Sequence, residues 1–222
     1  AERVIVCFPG IDAQKFFLPK ETAVLGPLAR KGIDQGDRSG ALAAFGLEEG
    51  RFTVFVMGGS GGAHAINTAM LQAAALLKGS RGIQILHQTG KNDEAEVAAG
   101  YRTQGVHATV RAYIDDMAAA YAAADLVVSR SGATSIAELA VCGKRAVLIP
   151  YPFAADNHQE YNARALASRG AADIILQKDL TPEHLAGVIS GHLKAGPGYP
   201  PVSRMPNTAA EEIVRICKDY VQ

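Results

Sequence analysis

The sequence predicts an α/β fold in which a Rossmann-like parallel sheet carries helices on both faces. Short apolar runs alternate with amphipathic stretches along most of the 222 residues. This alternation is typical of strand–helix–strand units, because parallel strands need a crossover connection between them. Glycine, serine or acidic residues directly follow several apolar runs, as expected of turns from strand to helix. A hydrophobic content of 48% is enough to build a substantial core.

Each element follows from its own periodicity. Strands are predicted where apolar and β-branched residues run together, at Arg3–Phe8, Phe52–Met57, Ile83–His87, Val106–Arg111, Leu126–Ser129, Ala146–Ile149 and Asp173–Leu176. Helices are predicted where apolar residues recur with helical spacing, at Gly40–Phe45, Ala63–Leu77, Glu94–Ala99, Met117–Ala123, Ser135–Cys142, Gln159–Arg169, Pro182–Lys194 and Ala209–Tyr220. Ligands of such sheets bind at the carboxyl ends of the strands, so the turns there are the candidate sites.

The first part of the chain has a different character. After the opening strand, the passage from Pro9 to about Gly40 is punctuated by proline and glycine and has no sustained period. We therefore expect residues 1–40 to be the tail of an upstream domain plus a linker, and residues 41–222 to form the Rossmann-like domain.

The overall charge gives no support to nucleic acid or an acidic membrane as a partner. Lys plus Arg and Asp plus Glu both total 22, so no net field favours nucleic acid or an acidic membrane. The three cysteines form no CxxC pair, which is consistent with reduced thiols in a cytoplasmic protein. No apolar run approaches the roughly 20 residues of a membrane span. We expect any work at a membrane to be peripheral.

The segment from Ser129 to Glu138 is the most informative one. Its small residues lie at a strand-to-helix turn, where a ligand can approach the backbone closely. The first N–H groups of the helix lack internal partners and, together with the helix dipole, form a seat for phosphate. Glu138 follows Thr134 by one helical turn, and a carboxylate there suits the two vicinal hydroxyls of a ribose. The segment predicts a site for a nucleotide diphosphate.

A glycine loop, Gly58–Ala63, follows the strand that ends at Met57. It is either an anion-binding loop or a tight turn of a packed α/β domain. It lacks the Lys-Ser/Thr pair of a Walker A loop. His64 replaces the third glycine of the dinucleotide fingerprint, and no acidic residue ends the next strand, so an NAD site is disfavoured.

The turn Tyr113–Met117 precedes a predicted helix. Asp115 or Asp116 is expected to cap that helix, which is a sufficient structural reason for either carboxylate. Metal binding is disfavoured because no histidine or further acid lies at ligand spacing. Exposed backbone at Ile114 could instead recognise the edge of a flat base.

A polar cluster, Asp156–Asn162, follows the strand Ala146–Ile149. Its donors and acceptors suit the hydroxyls of a sugar, and the alternative is an elaborate helix cap formed by Asp156 or Asn157. Hydrolase chemistry is disfavoured, because no GxSxG elbow is present and neither Ser131 nor Cys142 has a relay partner at a known spacing.

Four motifs occur in one order and carry a family resemblance. They are Gly58-Gly59-Ser60-Gly61-Gly62-Ala63, Tyr113-Ile114-Asp115-Asp116-Met117, Arg130-Ser131-Gly132-Ala133-Thr134-Ser135-Ile136-Ala137-Glu138 and Asp156-Asn157-His158-Gln159-x-x-Asn162-Ala163. Their order and spacing resemble the C-terminal domain of the MurG family, the GlcNAc transferases that convert lipid I to lipid II in peptidoglycan synthesis for the cell wall. The similarity extends from about Val24 to the C-terminal helix.

The resemblance implies an inverting GT-B glycosyltransferase with two Rossmann-like domains, the second of which binds the UDP-GlcNAc donor without a metal or cofactor. By analogy, the backbone at Ile114 would read uracil, Glu138 would hold the ribose hydroxyls, and Arg30 would flank the nucleotide. The implied diphosphate contacts are Ser60, Gly61, Ser131, Gly132, Ala133 and Thr134. The implied GlcNAc contacts are His158 and Gln159, with Asn162 nearby.

The same resemblance places the acceptor site, the membrane-facing patch and the general base in the family's N-terminal domain, so no catalytic residue is assigned here. We expect a cytoplasmic hexosyltransferase whose full-length form is peripheral on the inner face of the cell membrane. The isolated chain should bind UDP-GlcNAc but transfer almost nothing. The alternatives are a nucleotide-sugar-binding subunit of a split GlcNAc transferase, and a related UDP-sugar epimerase, UDP-sugar hydrolase or glycolipid synthase.

Overall fold

A computed structural model describes residues 3–8, 21–78, 82–196 and 201–219. Its strands are β1 (Arg3–Val6), β2 (Glu21–Val24), β3 (Phe52–Met57), β4 (Ile83–Gln88), β5 (Ala108–Arg111), β6 (Leu126–Ser129), β7 (Arg145–Leu148) and β8 (Ala172–Ile174). Six of them form one sheet in the order β5-β4-β3-β6-β7-β8, and every neighbouring pair is parallel. The predicted fold class is confirmed.

The chain reverses its direction of travel across the sheet beside β3. It first builds outward through β4 and β5, then returns to place β6 on the other side of β3 and continues to β7 and β8. The loops after β3 and β6 therefore leave the sheet side by side. This topological switch point is where open α/β sheets bind their ligands.

The helices cover both faces of the sheet. They are α1 (Arg38–Phe45), α2 (His64–Leu77), α3 (Glu94–Gln104), α4 (Met117–Ala123), α5 (Ala133–Cys142), α6 (His158–Ala167), α7 (Pro182–Ala195) and α8 (Ala209–Asp219). Buried residues of α1, α4, α5 and α6 form one apolar cluster, and those of α2, α3 and α7 form a second. Each face of the sheet is thus closed by its own set of amphipathic helices.

The opening segment is separate from this sheet. Strand β1 pairs only with β2, in a two-stranded parallel ladder, among the residues that the structure describes. Phe8 and Ile33 nonetheless pack into the cluster that contains α1, α4 and α5. Residues 9–20 of the predicted irregular passage lie outside the described part of the chain. The expected domain boundary near residue 40 stays a prediction.

Helix α3 is longer than the sequence pattern indicates. The pattern stops at Ala99 because Gly100 is a poor helix former. In the structure Gly100 lies inside the helix, where an added Cβ would come within 2.7 Å of the Leu71 side chain on α2. Close packing of two helices therefore outweighs the local cost of glycine. The helix ends at Gly105, which has the left-handed backbone of a C-cap (φ 67°).

None of the helices in the described part of the chain combines the length and the apolar character needed to cross a membrane.

Candidate nucleotide-sugar site

The ends of five strands lie in register at one edge of the sheet. Met57 pairs with Gln88 on one side and with Ser129 on the other, and Ser129 pairs with Leu148. Gln88 in turn pairs with Arg111 at the end of β5. All four motifs found in the sequence follow these strand ends, so they line one continuous edge.

The glycine loop after β3 is packed on its inner side and open on its outer side. A Cβ on Gly62, which has φ +78°, would clash with the carbonyl oxygen of Thr89 in the next loop. Ser60 and Gly61 are exposed, and a Cβ on Gly61 would meet no protein atom within 4 Å. The loop therefore presents backbone and the Ser60 side chain to the outside, as an anion-binding loop requires.

The start of α5 is open to a ligand. Gly132 occupies the N-cap position and supplies no side-chain hydrogen bond to the helix. Ala133 and Thr134 are exposed in the first turn. The amides of this turn lack intrahelical acceptors, so an anion here would satisfy them and meet the positive end of the helix dipole.

Ser131 lies in the same motif but has a different geometry. Its side chain is fully buried, and its hydroxyl donates to the carbonyl oxygen of Gln159 at 2.8 Å. The amide of Asn162 donates to the carbonyl oxygen of Ser131 at 3.1 Å. Ser131 therefore ties the start of α5 to the start of α6, and a phosphate contact by its hydroxyl stays a prediction.

Glu138 is a buried carboxylate with two donors. Its Oε1 accepts from Nε of Arg30 at 2.7 Å, and its Oε2 accepts from the hydroxyl of Tyr121 at 3.0 Å. The Glu138 side chain is 3% exposed, whereas that of Arg30 is 52% exposed. The hydrogen bond with this carboxylate raises the pKa of Arg30, so the guanidinium stays charged. The structure thus brings Arg30 and Glu138 together, although 108 residues separate them.

The backbone of Ile114 is partly engaged. Its N–H donates to Oε1 of Gln88 at 2.9 Å in a buried position, so a base at this turn would meet the carbonyl or displace Gln88. The amide of Gln88 also donates to the carbonyl oxygen of Gly59 at 3.0 Å. Gln88 therefore bridges the turn after β5 and the glycine loop. Asp116, one of the two expected caps, accepts from the N–H of Ala119 at 2.9 Å and caps α4.

At the polar cluster Asn157 occupies the N-cap position of α6, but the alternative of a side-chain cap is not observed. Neither Asp156 nor Asn157 makes a side-chain hydrogen bond that caps α6, and both adopt positive φ angles of 50° and 54°. Asn157 donates instead to Glu160 at 2.8 Å. Such backbone is uncommon for residues other than glycine and is concentrated at ligand sites, so the geometry favours a binding turn over a simple cap.

His158 and Gln159 open α6 with complementary hydrogen-bonding groups. The Nδ1 of His158 lies 2.8 Å from the carbonyl oxygen of Ala155, which assigns the proton of the neutral ring to Nδ1 and leaves Nε2 as an acceptor. Oε1 of Gln159 accepts from the N–H of Tyr151 at 3.0 Å, so its amide nitrogen can donate outward. An acceptor beside a donor suits the hydroxyls of a sugar.

A buried series of side-chain hydrogen bonds supports the glycine loop on its inner side. Asn67 on α2 donates to the Thr89 carbonyl at 2.8 Å and to Oδ2 of Asp93 at 2.7 Å, while its Oδ1 lies 3.0 Å from Nε2 of His87. The hydroxyl of Tyr101 completes the chain, 2.8 Å from Nδ1 of His87. Burial lowers the pKa of His87 to about 3, so this histidine is neutral and serves packing rather than proton transfer.

Sequence reasoning missed Tyr121 and Gln88, and it assigned no role to Arg130. Tyr121 and Gln88 are polar residues at positions that the pattern assigns to the core or to a strand end, and no local signal separates them from ordinary packing. The guanidinium of Arg130 donates to the carbonyl oxygen of Ile149 and to Gln177, and it stacks 5.4 Å from the centre of the Tyr151 ring. This arginine therefore holds the chain after β7.

A cavity lies at the opposite, amino-terminal edge of the sheet. It encloses about 730 Å³, and its lining includes Glu48, Arg51, Lys78 and His107. Among the described residues that line it there is no helix start, whereas the carboxyl edge has both the start of α5 and the glycine loop. The chemistry of the carboxyl edge therefore makes it the candidate site. Within the residues that the structure describes, no group of three or more His, Cys, Asp or Glu side chains is arranged to hold a metal ion.

Comparisons with known proteins identify the family of the chain. Residues 53–218 match the glycosyltransferase family 28 C-terminal domain. The chain is 45% identical over 191 residues to the UDP-N-acetylglucosamine--N-acetylmuramyl-(pentapeptide) pyrophosphoryl-undecaprenol N-acetylglucosamine transferase of Thermodesulfovibrio yellowstonii, covering 86% of this chain and 52% of that protein. The transferase of the same name from Syntrophotalea carbinolica is 41% identical over 226 residues, with 96% and 60% covered.

Among solved structures, the chain is similar to MurG from Acinetobacter baumannii. The TM-score is 0.73 at 29% sequence identity, covering 98% of this chain and 60% of that one. A glycotransferase of kitacinnamycin has the same fold, with a TM-score of 0.64 at 21% identity, covering 89% of this chain and 47% of that one. The chain spans about half the length of the curated relatives it matches.

Proposed function

Because this chain belongs to the family of glycosyltransferase family 28 C-terminal domains, we propose that it is the donor-binding domain of an inverting, UDP-GlcNAc-dependent hexosyltransferase. The reaction is the transfer of GlcNAc to a lipid-linked acceptor, from lipid I to lipid II, in peptidoglycan synthesis. One observation supports this proposal above the others: the four candidate loops line a single edge of the sheet, with the buried Glu138 carboxylate between α4 and α5.

The base, ribose, diphosphate and GlcNAc of the donor would lie along this edge in that order. The base meets the backbone at Ile114, and Glu138 accepts from the ribose hydroxyls beneath Arg30. The diphosphate lies between the glycine loop, at Ser60 and Gly61, and the first turn of α5. The residues of that turn and of the segment just before it are Ser131, Gly132, Ala133 and Thr134. GlcNAc then faces His158 and Gln159, while Asn162 secures the turn below them.

The chemistry that this domain contributes is stabilisation of the leaving group. Breaking the bond to the sugar leaves negative charge on the UDP diphosphate. Preorganised amides at the start of α5, together with the helix dipole, stabilise that charge without a metal ion. The helix start needs no rearrangement to do this, because its amides already face an open surface.

The remaining parts of the reaction are proposed to lie in the half of the relatives that this chain does not span. There we place the lipid-linked acceptor, the general base and the contact with the membrane, so that the whole protein is cytoplasmic and peripheral on the inner face of the membrane. Residues 1–40 would be the link to that half. On this proposal the chain alone binds the donor and forms almost no lipid II.

Calorimetric titration tests the proposal. UDP-GlcNAc and UDP should bind, with ADP and NAD much weaker, and Glu138→Ala should lose about tenfold or more in UDP affinity because charge-assisted hydrogen bonds to the ribose are removed. Glu96→Ala, which removes an exposed carboxylate from α3, is the control and should bind as the unaltered chain does. NAD binding tighter than UDP would overturn the proposal, and a preference for UDP-galactose would favour a different glycosyltransferase.

A further inference from the structure

The buried carboxylate of Glu138 is held from two sides by donors of different character. On the core side the hydroxyl of Tyr121 lies 3.0 Å from Oε2, and Tyr121 is 1% exposed. On the solvent side Nε of Arg30 lies 2.7 Å from Oε1, and this side chain is half exposed. One oxygen of the carboxylate is therefore fixed by the core, and the other is held by a side chain with more freedom.

The Tyr121 phenol is itself rigid. Its ring packs edge-on against Phe55 of β3, with centroids 5.8 Å apart and planes at 82°. Its hydroxyl also lies 4.0 Å from the sulfur of Met57 at the end of the same strand. Burial, together with the negative charge of Glu138, raises the pKa of Tyr121 well above its ordinary value, so the phenol remains a donor.

The Glu138 carboxylate has acceptor sites that Tyr121 and Arg30 do not use. An ionised carboxylate offers about four lone-pair sites, two on each oxygen. Tyr121 and Arg30 each use one site, on different oxygens. One site remains on each oxygen, which matches two neighbouring hydroxyls that each need one acceptor.

We propose that Tyr121 is a positioning residue for ribose recognition, which fixes the rotation of the Glu138 carboxylate so that both oxygens face a vicinal diol. The inference rests on the proposed function and goes beyond it, because it assigns selectivity for ribonucleoside over deoxyribonucleoside diphosphates to a residue in the core. Without the phenol hydroxyl, Oε2 loses its fixed donor and the carboxylate turns toward Arg30.

Arg30 cannot supply this orientation by itself. Its backbone is secured by Asn207, which accepts from the Ala29 N–H at 3.3 Å and donates to the Arg30 carbonyl at 3.1 Å. Its side chain, in contrast, extends into solvent. A long exposed side chain gives up rotamer freedom when it is ordered, so it restrains the carboxylate less than a buried phenol does.

The test measures binding of UDP and 2′-deoxy-UDP to the unaltered chain and to Tyr121→Phe. The unaltered chain should favour UDP by about tenfold or more, the value of one hydrogen bond to a charged group. Tyr121→Phe should weaken UDP by about fivefold to tenfold and 2′-deoxy-UDP by much less, so that the preference shrinks. Tyr101→Phe removes another buried phenol hydroxyl, which contacts His87 and not Glu138, and it should keep the preference.

The outcomes separate this inference from the proposed function. Failure of the unaltered chain to bind UDP would overturn both. Equal losses for the two nucleotides in Tyr121→Phe would assign Tyr121 a purely structural role, and an unchanged preference would also overturn the inference. If that variant does not fold, 3′-deoxy-UDP gives a second measurement on the unaltered chain: it should bind as weakly as 2′-deoxy-UDP. Dependence on one hydroxyl alone would contradict the two-site arrangement.

Discussion

Two glutamines of β4 offer a matched pair for testing how the site is held together. Gln88 and Gln84 are both buried and, four residues apart on one strand, lie on the same face of the sheet. Gln88 joins the Ile114 N–H to the Gly59 carbonyl at the carboxyl edge. Gln84 makes a comparable bridge at the amino edge, to both backbone groups of Glu48, and its amide also donates to the hydroxyl of Thr53 at 3.0 Å.

The stability cost of Gln88→Leu follows from these contacts. Leucine fills a similar volume, so no large cavity forms. The buried N–H of Ile114 loses its acceptor, which costs about 1–3 kcal/mol, whereas Gly59 is an exposed residue whose carbonyl can bond to water instead. We expect a loss of about 2 kcal/mol in the free energy of unfolding, measured by urea denaturation. Gln84→Leu should lose a similar amount.

The two variants should differ in binding. Gln88→Leu frees the Ile114 turn from the glycine loop. Ordering these two segments when UDP binds should then cost about 1.4 kcal/mol, or about tenfold in the Kd for UDP. Gln84→Leu should leave the Kd for UDP unchanged, because its bridge lies at the other edge of the sheet. Calorimetric titration of UDP into both variants measures the two Kd values. Equal loss of UDP affinity in the two variants, or none in Gln88→Leu, would refute the reasoning.

Two further perturbations test the loop and its support. Gly62→Ala should lower the free energy of unfolding by about 2 kcal/mol or more in urea denaturation, because the φ of Gly62 is +78° and an added Cβ would clash with Thr89. Gly61→Ala is the control and should be nearly neutral. Equal effects of the two substitutions would contradict the packing described. Burial lowers the pKa of His87 to about 3 from an ordinary 6.5, so the unfolded chain binds more protons between these values. The contribution of neutral His87 to the free energy of unfolding should therefore be fully present above about pH 6.5, and it should be lost as the pH falls toward 3. His87→Gln should flatten the fall in Tm between pH 7 and pH 5, and the exposed His184→Gln should not.

The fold could be predicted from the sequence because its signals are local. The run Phe52–Met57 and the periodic stretch that became α2 predict their elements without tertiary information. Strand β2 was missed because Glu21–Val24 becomes a strand through pairing with β1, and its own residues carry little strand signal. The length of α3 depended likewise on the contact between Gly100 and Leu71.

The candidate site could be predicted only in part, for the same reason. Its motifs follow strand ends, and strand ends meet at one edge in a parallel sheet. The pairing of Glu138 with Arg30 and with Tyr121 spans long sequence separations that no local pattern encodes. The same holds for Ser131, which the family resemblance assigned to the diphosphate and whose side chain is buried, with its hydroxyl bonded to the backbone of Gln159.

The location of a bound nucleotide tests the central claim most directly. A crystal structure of this chain with UDP should place the diphosphate between Gly61 and the first turn of α5, and the ribose hydroxyls within hydrogen-bonding distance of Glu138. UDP bound in the cavity of about 730 Å³ at the amino edge, beside Arg51 and His107, would contradict the assignment. So would a diphosphate at the carboxyl edge whose ribose lies away from Glu138.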